Sequence, residues 1–135
     1  MRLTVTGIDR VEVINYIEDD ITSAFVIPTK EYDYDELEAI ALKRILLKDL
    51  NSYIELSSSI SNNVIGRLSG VNSLSRISDI IIAELPLDYQ TKIRYIEICN
   101  PIARVKNIIK DLNREMETVK LENRIDDDLK EKLDE

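Results

Sequence analysis

The sequence predicts an α+β protein: a small antiparallel three-stranded β meander, then a helical bundle of about five helices, the last one long and projecting. Three observations carry this. Up to Pro28 the chain is rich in β-branched residues that alternate with polar ones, as a pleated strand requires. From Tyr34 the apolar residues recur every three or four positions, the period of a helix with one buried face. After Pro101 neither glycine nor proline occurs, so nothing in the sequence stops the last helical pattern.

In the first segment, Leu3 and Val5 alternate with Thr4 and Thr6, Gly7 interrupts, and Val11 and Val13 resume until Tyr16 and Ile17. Glu18-Asp19-Asp20 reads as a polar turn, and Ile21 to Ile27 as a third strand that ends at Pro28, which cannot donate to a ladder. A bulge or turn is expected at Gly7. So small a sheet leaves open edges, so it should lie on the helices or lack natural neighbours.

Asp33 is the expected N-cap of the first helix, with Asp35, Glu36 and Glu38 at its positive end and Leu37, Ile40, Ala41, Leu47, Leu50 and Ile54 as its apolar stripe. The run Ser57-Ser58-Ser59 should end it. A short helix over residues 62–69 closes at Gly70, a candidate for the left-handed position beyond a helix end. Asn72 or Ser73 then caps a third helix carrying Leu74, Ile77, Ile80, Ile81 and Leu85, which Pro86 terminates. A fourth covers about 88–98, with Tyr89, Ile93, Ile96 and Tyr95 as inward candidates.

Asn100-Pro101 reads as an N-cap followed by proline at the first helical position, where its missing N–H costs nothing. Ile102, Val105, Ile109, Leu112, Met116 and Val119 then form a coiled-coil-like seam. Its next positions would be Asn123 and Asp126, so it breaks, and Leu121, Ile125, Leu129 and Leu133 begin a second stripe on a shifted face. From Met116 to Glu135 there are eight acidic and four basic residues, too polar for a core. The expected division is a partial β lobe over 1–30, a helical bundle over 31–119, and a projecting helix end over 120–135 that begins a coiled segment.

With 44% apolar residues the chain can bury a core, and its 135 residues suit one domain or two small lobes. The net charge of −8 supplies no basic footprint for nucleic acid or anionic lipid. Histidine is absent, which removes the commonest general base and metal ligand. The single Cys99 forms no internal disulfide, and a reducing, cytoplasmic location is expected. No leader pattern is visible at the start, and the longest apolar run, Ile80 to Ala83, is far too short to span a bilayer.

Reactive constellations are missing from the pattern. The three glycines, at 7, 66 and 70, do not build a phosphate loop. Serine nucleophiles would need lysine as their base, and the serines cluster where helices start and stop, so capping explains them better. Glu18-Asp19-Asp20 and Asp126-Asp127-Asp128 lack the spaced oxygens of a calcium loop and read as solvated charge. No catalytic residue, cofactor or metal is expected. The candidate protein contacts are Tyr32 and Tyr34, in the joint between the lobes, and the stripe Leu121, Ile125, Leu129 and Leu133, which suits pairing with another helix.

Beyond these readings, one run carries a family likeness. Arg76-Ile77-Ser78-Asp79-Ile80-Ile81-Ile82-Ala83-Glu84-Leu85-Pro86-Leu87 resembles the R-L-A-D-x-I-A-x-x-L-P-L segment of the N-terminal region of ATP-dependent Lon (La) proteases. Lys92, Ile96-Glu97 and Arg104-Val105 continue it, similar to the family's K-Q-x-x-L-E-x-x-D-x-x-x-R-L stretch, with Asn100 where aspartate is frequent. Val5-Thr6-Gly7-Ile8-Asp9-Arg10-Val11 resembles the V-E-G-L-x-R-A strand element, and 112–125 the helix leading to the long coiled segment. Leu74 and Ile93 depart from the family's proline and glutamine.

The resemblance implies a β-rich lobe joined to a helical bundle ending in a long helix. It also implies a role in recognising unfolded or damaged proteins and in assembling a homohexameric, ATP-driven serine protease. The ATPase and Ser–Lys protease modules would lie elsewhere in the full-length chain, and further strands ahead of Val5. A free-standing acidic adaptor acting through its terminal helix is the alternative, and a carboxylate-only enzyme a third reading.

Overall fold

The computed structural model describes residues 1–30 and 32–134. The chain forms two compact units, Met1–Tyr32 and Asp33–Glu135. The first holds an antiparallel hairpin of β1 (Val11–Ile17) and β2 (Ser23–Pro28). The second holds α1 (Glu36–Leu56), α2 (Asn63–Leu68), α3 (Leu74–Glu84), α4 (Tyr89–Glu97) and α5 (Pro101–Asp134). The architecture is the expected mixture of sheet and five helices, with the last one long.

The sheet has two strands, not three. Leu3–Thr6 alternates as a strand should, but alternation only offers a face, and a strand exists through its ladder bonds. Among the described residues that segment has no strand partner. The irregularity expected at Gly7 instead lies between Val13 and Asn15, where Ile14 is the extra residue of a bulge in β1. The Glu18-Asp19-Asp20 turn is where the sequence placed it.

In α1 the cap is Asp35 rather than Asp33, its carboxylate accepting from the Leu37 N–H at 2.9 Å. The buried face is Leu42, Leu46, Leu50, Tyr53 and Ile54. Leu37, Ile40 and Ala41, expected inside, are exposed, and Leu47 is half-buried. Two apolar registers interleave along this helix, and the bundle uses the one that Leu42 begins. Gly70 does not adopt the expected left-handed conformation, since no residue described has positive φ. α2 ends instead on Ser69, whose N–H bonds the Ile65 carbonyl while its hydroxyl donates to that of Gly66 at 2.8 Å.

Ser73 caps α3, accepting from the Arg76 N–H, and Asp88 caps α4, accepting from the Thr91 N–H at 2.7 Å. Tyr95 is the buried residue of α4, whereas Tyr89, Ile93 and Ile96 face outward. Those three share one side of a nine-residue helix, and the opposite side is chosen because it brings the Tyr95 hydroxyl to a carboxylate on α5. Asn100 caps α5, accepting from the Ile102 N–H at 3.0 Å. Of the expected seam, Ile102, Val105, Leu112 and Met116 are buried and Ile109 and Val119 half-buried. Ile108, outside that seam, is fully buried as well. One core joins these to residues of α1, α2, α3 and α4.

Candidate functional site

The most specific sequence run, residues 76–105, converges on one side chain. Arg104 lies one turn beyond the start of α5, on the same face as Pro101, Val105 and Ile108, and none of its surface reaches solvent. Its Nε donates to the Ser78 hydroxyl at 2.8 Å. One terminal nitrogen donates to the Ile98 carbonyl at 2.5 Å, the other to the Ser75 hydroxyl at 2.5 Å and the Ser75 carbonyl at 3.3 Å. The Ser78 hydroxyl in turn donates to the Ser75 carbonyl at 2.6 Å. Asp79 supplies the countercharge, 3.6 Å from Nε, with its side chain 47% exposed.

The physics of this cluster is that of a clamp. A guanidinium taken out of water costs several kcal/mol, which good geometry and filled donors must offset. Here the planar fork reaches α3 and the α4–α5 turn together, something lysine could not do. Every buried side-chain nitrogen and oxygen among the described residues has a partner. Three further bonds reinforce the corner. Lys92 caps the α3 end through the Ala83 carbonyl at 3.0 Å, Tyr95 donates to Asp111, and the Arg67 guanidinium meets Glu84 at 3.0 Å. Burial, followed by the Asp111 carboxylate it bonds, pushes the Tyr95 hydroxyl well above the ordinary tyrosine range. The cluster holds helices in place; it presents no activated nucleophile and no base poised beside one.

The sequence reading puts the serines in general down to capping and places Ser78 and Arg104 only within the family likeness. The signal was present. Ser78 falls four residues after Leu74 and three before Ile81, squarely on the apolar face of its helix, and an arginine flanked by Ile102, Val105 and Ile108 invites the matching explanation.

The candidate contact residues are all exposed. Tyr32 is 43% and Tyr34 40% exposed, one in each unit. Leu121, Ile125, Leu129 and Leu133 all face solvent on the far half of α5. No group of three or more acidic or thiol side chains among the described residues could hold a metal ion. No helix of the described residues is long and apolar enough to cross a membrane. The hairpin adds a surface that sequence reasoning did not single out. Val11, Val13 and Tyr16 stand opposite Pro28, Val26 and Ala24, so one face of the sheet is apolar throughout, and it is exposed.

No family model matches the chain. Curated proteins named Lon protease do match it: that of Bacillus thuringiensis (strain Al Hakam) at 29% identity over 136 residues, and that of Brevibacillus choshinensis at 28% over 135. Lon protease 1 of Bacillus subtilis (strain 168) is 28% identical over 135 residues. Each alignment covers 99% of this chain but 17% of the relative, so the chain spans about a sixth of the length of the proteins it matches. The likeness is consistent with the N-terminal region of Lon proteases.

Proposed function

We propose that this chain is a non-catalytic N-terminal domain of a cytoplasmic, ATP-dependent Lon-type serine protease, where it contributes to substrate recognition and to hexamer assembly in protein quality control. The observation that carries the reading is the similarity to Lon proteases along 99% of the chain, its most specific run folding around one buried clamp. Two further features support it. The described side chains pack into a scaffold around the Arg104 clamp, as suits a module whose hydrolytic steps occur in other parts of a longer protein. Apolar surface on the hairpin and on the far half of α5 is available for unfolded polypeptide and for assembly.

The test is retention of unfolded protein. The purified chain should slow aggregation of a chemically unfolded model protein, without hydrolysing ATP or peptide. Failure to retain or protect any such protein would remove the recognition role. The exposed stripe Leu121, Ile125, Leu129 and Leu133 favours a second reading, a free-standing acidic adaptor that binds its partner through the terminal helix. Truncation after Val119 separates the two. An adaptor loses partner binding entirely, whereas the recognition module keeps most of its binding to unfolded protein.

A further inference from the structure

We draw no further inference here: the strongest candidate, the stripe of Leu121, Ile125, Leu129 and Leu133 on the far half of α5, is an apolar helix face exposed among the described residues, and nothing in the structure shows what covers it.

Discussion

Residues 101–119 and 120–134 belong to one uninterrupted helix, and both halves carry apolar residues at helical spacing. In the first half Val105, Ile108 and Leu112 are sealed in the core, and α5 packs against α1 and α3. In the second half every described side chain faces solvent. Leu121 lies five residues beyond Met116, about 140° further round the helix, and each step of four adds about 40° more. The second stripe therefore starts off the bundle-facing side and winds around the helix. Spacing alone reports that a helix has an apolar face; whether that face is buried depends on its phase relative to the neighbours already present.

The strongest way to break this contrast is to attack the anchor of the first half. Arg104→Ala strips partners from the Ser75 and Ser78 hydroxyls and the Ile98 carbonyl and opens a cavity between α3 and α5. A loss of about 3–5 kcal/mol is expected, a large fraction of an ordinary domain's stability, as measured by urea denaturation. Arg104→Lys should recover only part of it, because an ammonium cannot span the same acceptors.

The contrast is sharpened by truncating one leucine in each half. Leu112→Ala leaves a cavity in the core and should cost about 2–5 kcal/mol. Leu129→Ala, on an exposed face, should stay within about 0.5 kcal/mol of the parent. Equal losses would mean that the far half is packed in solution. Calorimetric melting of both variants at two protein concentrations reads this directly.

How much of this was legible in the sequence follows the same logic. The start of α5 was plain because Asn100-Pro101 and the absence of later breakers act locally. The bundle-facing seam was legible for Ile102, Val105, Leu112 and Met116, where spacing and phase agree. The far end of the α1 face, Leu50 and Ile54, was legible, but its start was misread because Leu37-Ile40-Ala41 and Leu42-Leu46 are both acceptable stripes, and only tertiary packing selects between them. The first strand was overread because β propensity describes a surface that fits a neighbour and cannot supply one. The Arg104 clamp was partly hidden because its serine acceptors lie 26 and 29 residues away along the chain.

A smaller effect should come from the Tyr95–Asp111 bond, which ties α4 to the first half of α5. The folded state holds the Tyr95 proton more tightly than the unfolded chain does. Its contribution is therefore fully present below the ordinary tyrosine value near 10 and is lost as pH climbs through the raised folded-state value. Tyr95→Phe should cost about 1 kcal/mol at neutral pH. The difference between parent and variant should shrink above pH 10, as followed by urea midpoints between pH 7 and 11. A difference that stays constant to pH 11 would mean that the hydroxyl is not what joins the two helices.

The smallest expected effect lies at the start of α4 and has the opposite pH dependence. The Thr91 hydroxyl, then its backbone N–H, hold the Asp88 carboxyl below its usual range, with a further push from Arg94. A depressed carboxylate stabilises the folded state above its unfolded value and stops doing so as pH falls through the folded one. Asp88→Asn keeps a capping oxygen but removes the charge, so it should lower the melting temperature slightly at pH 7 and not at all near pH 2. Because Asp88 is fully exposed, salt should erase most of the pH 7 difference. The clamp at Arg104, sealed from solvent, should be nearly indifferent to the same salt, and measuring both variants in one titration separates buried from exposed electrostatics within a single bundle.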